Sequence, residues 1–287
     1  GDLDKDGFLD LVIAHAHAPG PGVEFPGTLF ISHGPLLADL VEVGSNSPSS
    51  LEVLGSDDLA LGDADGDGWL DILVSASQYN APGMENAGRA HLFLGPGFDR
   101  EVILDDPTPE VDGQFSASVL LLDVDLDGRD ELLIGAPEAS VWQEGEQFVQ
   151  AGEVHIFDLE YPNRPVHLVE PIVQACSRFG FDLRGGDVDG DGALELLVTS
   201  AGKCIDGGQY RQGKIQVCDL PGLELVLSVA PPTSSGVANE LFVHDVHDYT
   251  GDGIPDILAA CPGCSAPTSC SGVGVAWILD GPGFSGE

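Results

Sequence analysis

Short apolar stretches recur along the chain: Leu11-Val12-Ile13, Ile72-Leu73-Val74, Leu132-Leu133-Ile134, Leu196-Leu197-Val198 and Ile257-Leu258-Ala259. Gly, Pro or small residues soon end each one, which limits it to strand length. A second apolar series opens on glycine, at Gly27-Thr28-Leu29-Phe30-Ile31, Gly88 to Leu94, Gly152 to Phe157, Gly213 to Cys218 and Gly274 to Leu279. A turn follows, clearest at Gly95-Pro96-Gly97 and Gly281-Pro282-Gly283, and then a third series at Leu40 to Val43, Glu101 to Leu104, Val166 to Val169 and Glu224 to Val229. A further strand precedes the first series, as at Ser118-Val119-Leu120-Leu121-Leu122. No stretch carries an amphipathic helix. Four strands in about 60 residues, joined by turns, make one blade of a β-propeller. The predicted fold class is all-β, a β-propeller of four-stranded antiparallel blades.

The polar segments between these strands follow one pattern, Asp-x-Asp-x-Asp-Gly-x-x-Asp/Glu. It stands at residues 2–10, 63–71, 123–131, 187–195 and 248–256, with first residues separated by 61, 60, 64 and 61 positions. Length alone suggests about two domains. A period near 60 kept five times means instead one array of five repeats over residues 1–287.

The spacing has a chemical reason. Oxygens at loop positions 1, 3 and 5 converge on one centre, and glycine at position 6 permits the sharp turn. The main-chain carbonyl at position 7 and a carboxylate further on complete the sphere of a hard cation that takes 6–8 oxygens. The candidate ligands are Asp2, Asp4, Asp6, Phe8 and Asp10 in the first loop and Asp63, Asp65, Asp67, Trp69 and Asp71 in the second. In the third they are Asp123, Asp125, Asp127, Arg129 and Glu131, and in the fourth Asp187, Asp189, Asp191, Ala193 and Glu195. Asp248, Thr250, Asp252, Ile254 and Asp256 form the fifth set, where Thr250 replaces the second Asp and weakens the site. Calcium, about five ions, fits better than magnesium, which keeps several waters. No Cys or His occupies these positions, so zinc and copper are poor candidates. These are not helix–loop–helix hands: position 12 is Ile13, Val74, Ile134, Val198 or Ala259, and the last acid is at position 9.

Composition sharpens this reading. The chain has 48 Asp+Glu against 10 Lys+Arg, a net charge of −38. Nucleic acid is excluded as a partner, because phosphate binding needs a basic surface, and an anionic membrane surface is disfavoured on the same ground. The 43% hydrophobic residues argue for a folded core and against disorder. No apolar run approaches the roughly 18–20 residues of a membrane span, so membrane insertion is not expected. The five loops use 19 of the 48 acids, and five calcium ions would bring −38 only to −28. That excess calls for calcium-rich or salty surroundings outside the cell.

Phe179-Gly180 and Gly135-Ala136-Pro137, together with the acidic loops, resemble the FG-GAP repeat of integrin α-subunit propellers and of bacterial FG-GAP/VCBS-type surface proteins. Near the Phe-Gly position the second repeat has Asp58-Leu59 and the fifth Glu240-Leu241. The resemblance implies a seven-bladed disc. Five loops, a start inside the first loop and an end before a last strand then imply a portion of a larger propeller or longer polypeptide. It also implies a non-enzymatic, calcium-stabilised extracellular binding or adhesion module. The alternatives are an accessory propeller of a secreted enzyme whose catalytic part lies outside this chain, or a unit of a surface assembly or fibre that self-associates through unpaired end strands.

Each acidic loop joins strands one and two of its blade, so the loops joining strands two and three lie on the opposite face. They run from Ala18 to Pro26, Ser77 to Ala87, Glu138 to Ala151, Gly202 to Gln212 and Pro262 to Val273. They carry Phe25, Tyr79, Met84, Trp142, Phe148 and Tyr210, large residues unusual in solvated turns and suited to a protein or glycan partner. Such residues can equally fold back as local plugs. The six cysteines, Cys176, Cys204, Cys218, Cys261, Cys264 and Cys270, favour disulfides by their even count. Cys264 with Cys270, and Cys176 with Cys204, are the pairings within reach; the rest stay open. His15 and His17, and His244 and His247, read as strand and rim residues without the further ligands a transition metal needs. No nucleophile elbow, His-Glu-x-x-His pair or phosphate loop appears.

Overall fold

The computed structural model describes residues 1–20, 22–35, 40–202, 213–230, 241–261 and 275–280. Among them the regular structure is β throughout, in antiparallel sheets with no helix. Strands β1 (Leu11–His15), β2 (Thr28–Ser32) and β3 (Leu40–Val43) form the first sheet. The second holds β4 (Leu59–Gly62), β5 (Asp71–Ser75), β6 (Arg89–Leu94) and β7 (Arg100–Asp105), side by side in chain order. The third begins with β8 (Ser118–Leu122) and β9 (Glu131–Ala136). A small hairpin of β10 (Val141–Gln143) and β11 (Glu146–Phe148) interrupts it before β12 (Glu153–Phe157) and β13 (Val166–Leu168) complete it. The fourth holds β14 (Phe179–Gly186), β15 (Glu195–Ser200), β16 (Lys214–Asp219) and β17 (Glu224–Val229). The fifth holds β18 (Phe242–His247), β19 (Asp256–Cys261) and β20 (Val275–Leu279). Each strand series read from the apolar pattern lands on a strand; the hairpin falls inside a stretch read as a loop.

Two compact units make up the chain: residues 1–123 with 127–136 and 155–167, and residues 124–126 with 137–154 and 168–287. In the first, Leu29 and Ile31 of β2 pack with Ile72 and Val74 of β5 and Phe93 of β6, so the first two sheets bury their facing sides together. In the second, Leu197, Ile215 and Val217 do the same with Val243, Ile257 and Ala259. This explains why β5, β9 and β15 are buried at every position and do not alternate: a strand covered on both faces reads as a continuous apolar run. β3 and β17, each the last strand of its sheet, are largely exposed.

A backbone zipper recurs three times among the described residues. The N–H groups of Leu51, Val53 and Leu54 donate to the carbonyls of Glu24, Phe25 and Pro26, at 2.6, 3.1 and 3.0 Å. Asp112, Gln114 and Phe115 donate to Glu85, Asn86 and Ala87 at 2.8, 3.0 and 3.1 Å, and Cys176, Arg178 and Phe179 to Val149, Gln150 and Ala151 at 2.9, 3.1 and 2.9 Å. The glycine after each zipper, Gly27, Gly88 or Gly152, has a positive φ of 78, 90 or 78°. A Cβ there would run into the backbone of Leu54, Phe115 or Phe179. Those three side chains are buried. The Phe-Gly position of the second repeat is therefore Leu54-Gly55, and Asp58-Leu59 instead opens β4. Glu240 lies outside the described residues.

A buried ionic cluster adds to the first unit. His91 of β6 lies 2.7 Å from Glu101 Oε1 on one side and 3.1 Å from Glu52 Oε1 on the other. Burial pulls the imidazole pKa down, but the two carboxylates prevail and hold it above its ordinary value. Arg89 joins Glu52 at 3.3 Å and Asp105 at 2.6 Å.

Candidate metal centres

The five acidic loops share one backbone scaffold. Glycine at position 6 has a left-handed φ of 91° at Gly7, 84° at Gly68, and 94° at Gly128, Gly192 and Gly253, a region that costs any residue with a Cβ. Its N–H donates to the position-1 carboxylate: Gly7 to Asp2 at 3.0 Å, Gly68 to Asp63 at 2.8 Å, Gly128 to Asp123 at 2.9 Å, Gly192 to Asp187 at 3.1 Å and Gly253 to Asp248 at 2.9 Å. The N–H at position 7 donates to the position-5 carboxylate: Phe8 to Asp6, Trp69 to Asp67, Arg129 to Asp127, Ala193 to Asp191 and Ile254 to Asp252, at 2.8 to 3.0 Å. These bonds turn the carboxylates inward on the chain's own geometry.

The acid at position 9 opens the following strand and is buried: Asp10, Asp71, Glu131, Glu195 and Asp256 are all below a tenth exposed. It holds the start of its loop. Asp10 accepts from Leu3 N at 2.7 Å, Asp71 from Ala64 N at 2.9 Å, Glu195 from Val188 N at 2.7 Å, and Asp256 from Tyr249 N and Thr250 N at 2.9 Å each. The second oxygen of Asp10 and Asp71 reaches across to the turn after the next strand, accepting from Gly34 N and Gly95 N at 2.8 Å.

Ligand-capable oxygens of Asp2, Asp4 and Asp6, of Asp63, Asp65 and Asp71, and of Asp187, Asp189, Asp191 and Glu195 lie within 4.8 Å of one another in each group. Crowding like charges against a buried carboxyl has a measurable consequence. Burial, and then the Asp65 and Asp63 charges, push Asp71 up to about 6. Burial, and then Asp189, Asp187 and Asp191, push Glu195 up to about 7. Such donor sets, all oxygen and short of positive charge, fit a hard divalent cation.

Two features of the loops escaped the sequence reading. Position 4 is also left-handed in all five, at Lys5, Gly66, Leu126, Gly190 and Gly251, with φ between 59 and 82°. The glycines at three of these positions were the available signal. Position 7 also reaches the neighbouring loop. Lys5 Nζ lies 4.1 Å over the Trp69 ring, Arg129 packs on Gly66, and Ile254 packs on Gly190. In addition Asp130, at position 8 of the third loop, accepts from Asp63 N at 2.8 Å.

The FG-GAP-like repeat pattern matches residues 2–74, and the FG-GAP repeat pattern matches residues 57–93 and 115–157. The chain carries FG-GAP repeats. It is 29% identical over 163 residues to the phosphatidylinositol-glycan-specific phospholipase D of Mus musculus, an overlap of 53% of this chain and 18% of that protein. It is 30% identical over 154 residues to integrin alpha-3 of Cricetulus griseus, 50% of this chain and 14% of that one. Integrin alpha-IIb of Homo sapiens is 29% identical over 154 residues, again 50% and 14%. The match thus spans less than a fifth of each relative.

Outside the acidic loops stand the large residues expected to meet a partner, and the described ones divide into two kinds. Trp142 stands on the β10–β11 hairpin and is 68% exposed. Phe148, on the same hairpin, packs against the cluster of Val141, Ala151 and Val173. Tyr79 lies flat against the Arg89 guanidinium at 3.7 Å, and Phe25 makes an edge contact with His17 at 5.8 Å. Met84 is half-buried at a tight turn, where its N–H donates to Ala81 O at 2.9 Å. Tyr210 lies outside the described residues. Cys176 and Cys261 are disulfide-bonded. Cys218, within β16, is a buried free thiol, so the even count does not extend to it. Cys204, Cys264 and Cys270 lie outside the described residues. His15 sits at the end of β1, His17 in the turn beyond it, and His244 and His247 on β18, all exposed. No helix among the described residues is long and apolar enough to cross a membrane.

Proposed function

We propose that this chain is a calcium-clamped β-propeller module that works outside the cell as a binding or adhesion surface. The observation that carries the reading is the fivefold recurrence of one loop scaffold whose hydrogen bonds aim acidic side chains inward. Asp2, Asp4, Asp6 and Asp10, with the Phe8 carbonyl, would hold the first ion. Asp63, Asp65, Asp67, Asp71 and Trp69 would hold the second. Asp123, Asp125, Asp127, Glu131 and Arg129 follow in the third loop, Asp187, Asp189, Asp191, Glu195 and Ala193 in the fourth, and Asp248, Thr250, Asp252, Asp256 and Ile254 in the fifth. Bound calcium supplies positive charge; the chain's own residues supply the turn, the buried anchor at position 9 and the contacts between loops. Asp130 and the position-7 side chains then make one loop's order depend on its neighbour's. The partner, a protein or a glycan, meets the face opposite the acidic loops, with Trp142 as its exposed anchor.

A second reading has support of its own. Relatives named as phosphatidylinositol-glycan-specific phospholipase D share half of this chain over less than a fifth of their own length. This favours an accessory propeller attached to an enzyme's catalytic part. Both readings share the calcium sites. Dialysis against calcium followed by elemental analysis tests them: about five ions per chain are expected, and a chain carrying none overturns the proposal.

A further inference from the structure

The first acidic loop differs from the others in one donor. His33 follows β2 one residue beyond the register pair Leu11↔Ser32, which sets it opposite Asp10. Directly opposed residues on neighbouring strands share a face. The corresponding place in the second repeat is Leu94, because Gly34 and Gly95, the next residues, make the same hydrogen bond to Asp10 and Asp71.

His33 Nδ1 lies 3.5 Å from Asp4 Oδ2 and 3.5 Å from Asp10 Oδ2. The atom is closed off from solvent and makes no well-formed hydrogen bond, meeting these two carboxylates only at ion-pair distance, although the ring as a whole is 32% exposed. Hydrogen bonds to nitrogen fall at about 2.7–3.2 Å, so both contacts are too long to be good ones. Two ligands about 2.1 Å from one ion are about 3.4 Å apart at a tetrahedral angle, close to the observed spacing. The oxygens are suited to the part. Asp4 takes the Asp6 N–H on Oδ1 and turns Oδ2 to the ring. Asp10 Oδ2 accepts from Leu3 N and keeps a second lone pair. The three ligand atoms lie within 4.8 Å of one another.

Calcium takes oxygen ligands, whereas imidazole suits zinc, copper, nickel and iron. We propose that the first loop is a mixed nitrogen–oxygen site, formed by His33 Nδ1 with the Asp4 and Asp10 carboxylates, that takes a divalent transition metal of the zinc class in preference to calcium. Water completes the sphere. Asp4 also belongs to the all-oxygen group of Asp2, Asp4 and Asp6, so the loop holds one ion at a time. The other four loops remain calcium sites. The inference rests on reading the acidic loops as cation sites.

Cobalt(II), which reports its geometry by visible absorption, is the probe. The full chain in saturating calcium should take up one equivalent of cobalt with the intense bands of a tetrahedral site, and zinc should displace it. His33→Leu, which installs the side chain of the second repeat, should lose that equivalent, with affinity lower by at least about tenfold. It should still melt higher in calcium than without it. His15→Ala, outside the cluster, should keep the cobalt. Wild-type protein that takes up no cobalt in saturating calcium, or a His33→Leu variant that binds it equally, overturns the inference. A calcium-dependent melt in the same samples would leave the proposed function standing. Loss of both responses would overturn both.

Discussion

The fourth and fifth loops share a backbone and differ in charge. Gly192 and Gly253 have the same φ of 94° and donate to Asp187 and Asp248 at 3.1 and 2.9 Å. Ala193 and Ile254 donate alike to Asp191 and Asp252 at 2.8 and 2.9 Å. At position 3, however, the fourth loop has Asp189 and the fifth has Thr250. Four carboxylates crowd together in the fourth loop, and its buried Glu195 is pushed up to about 7. In the fifth, Asp256 accepts from two N–H groups where Glu195 accepts from one. The turn thus forms without the third acid. What the two loops share is the glycine with the acids at positions 1, 5 and 9. In the fourth loop the acid at position 3 adds a bond from Asp191 N to Asp189 at 3.0 Å, where Asp252 N turns to Asp248 in the fifth, and it adds the charge that a cation would use.

The comparison can be broken at its shared half or at its differing half. Gly192→Ala and Gly253→Ala should each cost about 1–2 kcal/mol, because both put a Cβ into left-handed backbone. Thermal melts should show equal losses for the two, with calcium and without it; a tolerated substitution in either loop would end the claim of a common scaffold. A smaller effect comes from exchanging position 3. Asp189→Thr should weaken calcium at the fourth loop and Thr250→Asp should strengthen it at the fifth, each by about tenfold, or about 1.4 kcal/mol. Calorimetric titration reads both. Shifts in the same direction would show that charge at position 3 does not set affinity.

The parts of this architecture that could be read in the sequence are those repeated with the same residue types. The strands were legible because β5, β9 and β15 are covered on both faces, and covered strands are written as unbroken apolar runs. The loops were legible because a left-handed turn demands glycine and a hard cation demands spaced oxygens. The zipper was not. It is made by N–H and carbonyl groups, so Leu51, Asp112 and Cys176 do the same work with unrelated side chains. The Phe-Gly position was misread in the second repeat for the same reason: Leu54 is buried as Phe115 and Phe179 are, yet carries a different side chain. His33 approaches Asp4 and Asp10 from the far end of a neighbouring strand, so no spacing within the loop announces it. Of the aromatic residues expected to meet a partner, packing against Arg89 and Val173 claimed Tyr79 and Phe148, and only the structure could separate them from Trp142.

The central claim is that the carboxylates are placed for a cation, and the melting temperature against pH, with and without calcium, tests it most directly. Folded and metal-free, Glu195 and Asp71 titrate at about 7 and about 6, above their ordinary 4.5 and 3.8. Between those values the folded chain binds more protons than the unfolded one, so metal-free stability falls as pH rises through that window. Calcium replaces those protons. At a hundredfold excess over Kd each site adds about 2.7 kcal/mol, and a chain of this size gains about 2–4 °C per kcal/mol. The account predicts that calcium raises the melting temperature by more than about 10 °C at neutral pH, that the gain shrinks on acidification, and that the metal-free chain melts higher at pH about 5 than at about 7. A melting temperature at neutral pH that calcium leaves unchanged would contradict it.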